Sequence, residues 1–374
     1  MIEGHGDDTY RYPGITSDFS SNICLPPHRH EMLMAHLAAR SELILHYPEP
    51  EAWSLEEMIA ERHGIDPACV IVTSGATEAI YLIAQTFRYK PVIPTPTFSE
   101  YEEACKLVAH ASQRGSVGEA ADCHAEKRDL LTMLWLCNPN NPDGKVYDLD
   151  NIHRMMHEYD LVVLDHSYEN YTNVPVIATQ WGCREPRTIV IHSFTKTYAI
   201  PGLRLGYITA HEKLIDELRR FIHPWSISAL AVEAGKFLLK HDELICHPDL
   251  TVAQRLRKQL LSVGIDVQPT HTNFMLCRLP VVGNASERCN PDSRVLGNAS
   301  ERCDNQQAVT LGSVAHYTAA GLKEYLAREH RMLIRDASNF RGLTSQHFRV
   351  AAQSPEENDV LVTAIQEYLK RKTP

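Results

Sequence analysis

The sequence predicts an α/β fold, with a large domain built on a mostly parallel sheet between helices and a smaller αβ domain beside it. Three observations predict it. Short β-branched or leucine-rich runs alternate with helical patterns from about residue 69 to residue 193, the order expected of a sheet covered on both faces. From about 211 to 264 the pattern turns helical, and strand-like runs then resume towards the C-terminus. The chain has 374 residues, 44% of them hydrophobic and 22% charged, comfortable for two domains at roughly 100–200 residues each.

In chain order, the first thirty residues are turn-rich, broken by Pro13, Gly14, Pro26 and Pro27, and an amphipathic helix is expected over 29–43. CVIVT (69–73) reads as a strand leading into a helix from Thr77 to Phe87, and PVIP (91–94) precedes a helical stretch from Ser99 to Val108. TMLWLC (132–137), LVVLD (161–165) and TIVIHS (188–193) are further strands. In the smaller region, strands are expected at 272–279, 332–336 and 347–352. A last helix over 355–372 opens with Ser354, Pro355, Glu356 and Glu357, which supply a cap, a first-turn proline and acids against the helix dipole. The expected organisation is an arm over 1–45 joining the small domain, a large domain over 46–245 and a small domain over 246–374.

One segment breaks the order. Residues 281–294 (VVGNASERCNPDSR) are followed by 295–308 (VLGNASERCDNQQA), and GNASERC recurs intact. Stacked-repeat folds need about three units, so 281–315 is expected to be a surface insertion, which costs little loop entropy. Asn284 and Asn298 match N-x-S, a pattern that matters only in a secreted chain. They are read as chance matches.

Composition excludes several classes. The 37 basic and 47 acidic residues give a net charge of −10, against a nucleic-acid protein held by bulk electrostatics. No apolar run reaches about 18 residues, so no membrane span is expected. The polar, acidic N-terminus is not expected to be a secretory signal. Ten cysteines include no C-x-x-C pair and twenty histidines no H-E-x-x-H, so no metal site is expected. A reducing cytoplasm is the expected compartment.

The most informative stretch is SFTKTYAIPGLRLGY (193–207). Lys196 follows a strand, is flanked by hydroxyl residues and precedes Arg204 by eight positions. A lysine that forms a Schiff base to pyridoxal phosphate needs this setting, with hydroxyls and an arginine fork for the phosphate ester. A surface loop with a solvated lysine is the competing reading. Asp165 ends LVVLD; a carboxylate there can keep a pyridine nitrogen protonated, with Tyr168 able to reach the ring's phenolic oxygen, or it is an ordinary strand-end residue. NPNNPDG (138–144) offers the Asn141 amide to the same oxygen, or is only a rigid turn. TSGATE (73–78) joins a strand to a helix whose free N–H groups suit a phosphate, though such turns are common.

Taken together and in this order, TSGATEAI, PTFSEY, NPNNPDG, LDHSYENY and SFTKTYAIPGLRLGY resemble the aminotransferase superfamily of fold-type-I pyridoxal-phosphate enzymes. The resemblance covers most of the chain apart from the insertion. It implies that Lys196 is the Schiff-base lysine and Asp165 the pyridinium partner, with Tyr168 and Asn141 on the phenolate oxygen. Ser193, Thr195, Arg204 and the Ala76 and Thr77 amides would hold the cofactor phosphate, and Phe98 would stack on the ring. Tyr47, in YPEP, would contact the phosphate in the neighbouring subunit of a homodimer. Asp143, His166 and Ser167 depart from the usual family residues without removing a required group.

The ends of the chain resemble one branch. GHGDDTYRY, DFSSNI, YPEP, LIRDASNFRGL and HFRVA are similar to motifs of the L-threonine-O-3-phosphate decarboxylases, which make aminopropanol phosphate for the cobalamin side chain and are close to the histidinol-phosphate aminotransferases. This implies that Arg349 clamps the substrate carboxylate and Arg335 lies at its phosphate end, with Asn141, His5 and Asn22 as further substrate contacts. Arginine suits both anions by its bidentate fork; without the resemblance, both arginines read equally as solvated strand-edge residues. The expected reaction is decarboxylation of L-threonine O-3-phosphate, with transamination of a phosphorylated amino compound such as histidinol phosphate as the alternative, since both need the same residues. A non-catalytic cofactor-binding regulator is disfavoured, because Lys196 and Asp165 are intact and no basic helix-turn-helix segment precedes them.

Overall fold

The structure, a computed structural model, describes residues 7–24, 30–114, 131–281 and 317–371. His5 and, apart from Val281, the insertion expected over 281–315 lie outside the described residues. The strands are β1 Ser17–Asp18, β2 Val70–Thr73, β3 Lys90–Val92, β4 Thr132–Cys137, β5 Leu161–Asp165, β6 Thr188–Ser193 and β7 Gly206–Ala210. Then follow β8 Asp266–Val267, β9 Phe274–Arg278, β10 Met332–Leu333, β11 Arg335–Asp336 and β12 His347–Ala351.

Six of these form the main sheet, in the order β2-β7-β6-β5-β4-β3. β3 to β6 pair in parallel, whereas β7 is antiparallel to both β6 and β2. Alternation along β4 explains the layering. Met133 and Trp135 face a core shared with Ile80, Ile83 and Tyr101, from the helices Ala76–Phe87 and Glu100–Arg114. Leu134 and Leu136 face the other way, onto Ile152 and Met156 of the helix Leu149–Glu158. With helices on both faces, β5 and β6 are buried end to end, as a parallel sheet requires.

β7 is one of the elements missed in the sequence, with β1, β8 and the helix Trp53–His63. Its five residues are all buried, so GYITA shows no alternation to mark it as a strand. Gly206 opens it because a Cβ there would lie 2.9 Å from the Ala76 nitrogen and from the His192 carbonyl oxygen. The strand can therefore approach the start of the helix Ala76–Phe87 only with glycine at this point.

A second sheet, β11-β12-β9-β8, is antiparallel throughout. The run 332–336, expected as one strand, splits in two. Met332–Leu333 pairs in parallel with β1 of the N-terminal arm, while Arg335–Asp336 pairs with β12. Phe19 of the arm joins Leu256, Met275, Leu322, Phe348 and Leu361 in the core of this region. The helix expected over 29–43 is Glu31–Ala38 followed by a 3-10 turn, Ser41–Leu45. The last helix is Pro355–Arg371, opened by a reciprocal cap: Glu357 N donates to Ser354 Oγ at 3.2 Å and Ser354 N to Glu357 Oε2 at 3.2 Å.

Among the described residues, no helix is long and apolar enough to cross a membrane, no cluster of three His, Cys, Asp or Glu is arranged to hold a metal, and the seven cysteines are free thiols.

Candidate active site

β4, β5 and β6 end at Cys137, Asp165 and Ser193, and all three residues line one cavity of about 320 Å³. Its opposite wall comes from the second sheet and the arm, through Arg335, Arg349 and Ser20–Ile23. A crevice at the carboxyl ends of parallel strands is where α/β sheets place ligands. Thirteen of the fifteen residues singled out in the sequence line it: Asn22, Ala76, Thr77, Phe98, Asn141, Asp165, Tyr168, Ser193, Thr195, Lys196, Arg204, Arg335 and Arg349. Tyr47 does not; it is 86% exposed and packs against Trp225 with ring centroids 5.5 Å apart. His5 lies outside the described residues.

Lys196 sits in the short helical turn Phe194–Thr197 that follows β6. Its backbone carbonyl accepts a 3.0 Å hydrogen bond from the Tyr171 hydroxyl, and its Nζ donates to Asn22 Oδ1 at 3.2 Å. Burial, reinforced by the charges of Arg349 and Arg204, lowers its ammonium pKa to about 7. Near neutral pH much of this amine is therefore an unprotonated nucleophile. Asn22 also donates from Nδ2 to the Tyr168 hydroxyl at 2.7 Å, so one arm residue links the lysine and the tyrosine.

Asp165 is 4% exposed and each of its oxygens has a donor. Ser167 N donates to Oδ1 at 2.9 Å and the Tyr101 hydroxyl to Oδ2 at 2.6 Å. A buried carboxylate persists only with such partners.

On the other wall, Arg349 Nη1 donates to Asn141 Oδ1 at 2.6 Å and Nη2 to the Ser20 carbonyl at 2.5 Å. Its buried Nε has no partner among the described residues. Arg335 donates to the Asp336 carbonyl at 2.7 Å and to Asn339 Oδ1 at 2.9 Å. Burial and the neighbouring Arg349 depress its pKa to about 10.

At the far end, the helix Ala76–Phe87 begins against Arg204. Gly75 caps it with φ +86°, and a Cβ there would lie 2.6 Å from Arg204 Nη2. Glycine thus satisfies both the backbone conformation and the close approach of the guanidinium. The helix N-terminus, the hydroxyls of Ser193 and Thr195 and the Arg204 fork face one space, a set suited to a phosphate.

The sequence reading missed Tyr101, Ser20 and Asp7. Tyr101 was in view, three residues after Phe98 in PTFSEY, in the first turn of the helix Glu100–Arg114. Ser20 is a junction that no local pattern reveals: its Oγ accepts from Asp7 N at 3.0 Å while its carbonyl holds Arg349.

The aminotransferase class I and II description matches residues 16–365. The chain belongs to that family. Aminotransferases of class I and II are pyridoxal-phosphate-dependent. The chain is 32% identical to L-threonine-O-3-phosphate decarboxylase from Porphyromonas gingivalis, whose crystal structure matches with a TM-score of 0.76 over 95% of this chain and 100% of that one. Threonine-phosphate decarboxylase of Salmonella typhimurium is 27% identical over 96% of this chain and 92% of its own length. Histidinol-phosphate aminotransferase of Caldanaerobacter subterraneus subsp. tengcongensis is 26% identical over 86% and 84%.

The cavity of this family member fits the cofactor. A buried carboxylate, an amine of depressed basicity and a helix N-terminus beside an arginine match a ring nitrogen, an aldehyde and a phosphate. The partnerless Nε of Arg349 leaves a buried donor for a further anion.

Proposed function

We propose that this chain is a pyridoxal-phosphate-dependent carboxy-lyase that converts L-threonine O-3-phosphate to aminopropanol phosphate and CO2. The observation that carries this reading is the pair Arg335 and Arg349, two buried guanidinium groups on one cavity wall. They suit a substrate with an anion at each end. The 32% identity to the Porphyromonas gingivalis decarboxylase over 95% of the chain supports the same choice.

Each residue then has a task. Lys196 would hold the cofactor through its aldehyde, and its amine would hold the proton that returns to Cα. Asp165 pairs with the ring nitrogen, and Tyr168 and Asn141 hydrogen-bond the phenolic oxygen. Ser193, Thr195, Arg204 and the amides of Ala76 and Thr77 bind the cofactor phosphate, with Phe98 against the ring. Bound pyridoxal phosphate supplies an electron-poor ring that accepts the electron pair of the bond broken at Cα. Arg349 takes the substrate carboxylate and Arg335 its phosphate, with Asn141, Asn22 and His5 as further contacts. Holding both ends fixes rotation about the Cα–N bond and so selects which Cα substituent is cleaved.

The division into an arm (1–45), a large domain (46–245) and a small domain (246–374) belongs to this reading, as does a cytoplasmic location. So does a homodimer in which Tyr47 reaches the neighbouring site. Exposed Ile44, Leu45, Tyr47 and Trp225 support a covered surface there. The histidinol-phosphate aminotransferase relative supports the second reading, transamination of a phosphorylated amino compound by the same residues. Supplying L-threonine phosphate, or histidinol phosphate with 2-oxoglutarate, and following CO2 and glutamate separates the two.

A further inference from the structure

We propose that Tyr101 is a positioning residue for the reaction: its hydroxyl, held by stacked aromatic rings, sets how strongly Asp165 competes for the proton on the cofactor ring nitrogen. The proposal rests on the pyridoxal-phosphate reading above and adds to it a residue that lines the same cavity and acts through Asp165.

The Tyr101 hydroxyl donates to Asp165 Oδ2 at 2.6 Å, within the range of charge-assisted O–H···O⁻ bonds, roughly twice as strong as neutral ones. The ring has no freedom to leave. Tyr101 is 0% exposed, stacks on Trp135 at 5.3 Å and 21°, and meets Phe98 edge to face at 5.7 Å and 83°. These are preferred aromatic geometries. Burial and the Asp165 charge raise the phenol well above its ordinary pKa, so it remains a donor at any working pH.

Ser167 N occupies Asp165 Oδ1, and the remaining lone pairs are left for the ring nitrogen. A donor to the ionised carboxylate lowers its proton affinity, which keeps the shared proton on the ring. Without the hydroxyl, the proton moves towards Asp165 and the ring becomes less positive. A less positive ring is a weaker electron sink, and the nitrogen that joins it to Lys196 becomes more basic. A purely structural Tyr101 would merely anchor the helix Glu100–Arg114 to β5 and would leave these proton affinities unchanged.

The test reconstitutes the full chain with pyridoxal phosphate and follows visible absorbance against pH. Tyr101→Phe is expected to raise the absorbance midpoint by about half a unit or more, a roughly threefold change in proton affinity, and to speed cofactor release several-fold. Trp135→Phe, which disturbs the packing but keeps the hydroxyl, is expected to leave the midpoint in place. Site-specific 3-fluorotyrosine at position 101, a stronger donor of nearly the same shape, is expected to lower it, and this arm stands if the phenylalanine variant does not fold. An unchanged midpoint with either replacement at position 101 overturns the proposal while the cofactor reading stands. Wild-type protein that takes up no pyridoxal phosphate overturns both.

Discussion

Arg335 and Arg349 are direct partners across the antiparallel β11–β12 ladder, 5% and 4% exposed. Like charges directly opposite each other destabilise a sheet, and here neither has a carboxylate salt-bridge partner among the described residues; carbonyl and amide oxygens take their hydrogen bonds. Such a pair is poised for anions. Arg335→Gln is expected to raise KM for L-threonine phosphate at least ~10-fold, from loss of a charged hydrogen bond of about 1.5–3 kcal/mol. Stability without ligand is expected to change by less than about 1 kcal/mol, because relief of the repulsion offsets the lost contacts. Steady-state kinetics and chemical denaturation check the two halves.

In the proposed reading, Lys196 governs cofactor capture. With its pKa lowered to about 7, the neutral amine, which is the nucleophile, gains population as pH rises. The rate at which apoprotein takes up pyridoxal phosphate is expected to rise through a midpoint near 7 and then level off, as read by stopped-flow absorbance. Lys196→Ala is expected to form no yellow adduct.

His166 is buried beside Asp165, with no hydrogen-bond partner for either ring nitrogen among the described residues. Burial lowers its pKa to about 4 from 6.5. The unfolded chain therefore binds this proton more readily, and stability falls as pH drops from 6.5 towards 4. The loss at pH 4 is about 3 kcal/mol. Urea denaturation at pH 7.5, 5.5 and 4.5 is expected to show a steeper decline in wild type than in His166→Leu.

The arm is latched to the second region by Asp8 and Lys323, 2.6 Å apart, and both are at least nine-tenths buried. Asp8→Asn leaves the Lys323 ammonium buried without its counter-charge, and is expected to cost about 3 kcal/mol or more in stability. Asp8→Asn combined with Lys323→Met is expected to recover part of that loss. Thermal denaturation of wild type and these two variants measures it.

Local pattern carried much of the fold. β4, β5 and β6 are uniform apolar runs bounded by turns, and each delivers a cavity residue at its last position. What escaped was set by partners distant in sequence. β1, β8, β10 and β11 have two residues each, too few to show a period. Whether Leu333 and Arg335 share one strand depends on Asp18 and Arg349, neither of which is nearby in the chain. The motif-bearing residues were legible because cofactor chemistry restricts residue type at a few spacings. Tyr101 was not, since its task is defined by Asp165, sixty-four positions away.

The most direct measurement is product formation by the reconstituted protein from L-threonine O-3-phosphate, supplied without any oxo-acid acceptor. Equal amounts of CO2 and aminopropanol phosphate are expected, both abolished by Lys196→Ala. Glutamate formed from histidinol phosphate and 2-oxoglutarate, with no CO2 released from L-threonine phosphate, would contradict the decarboxylase reading.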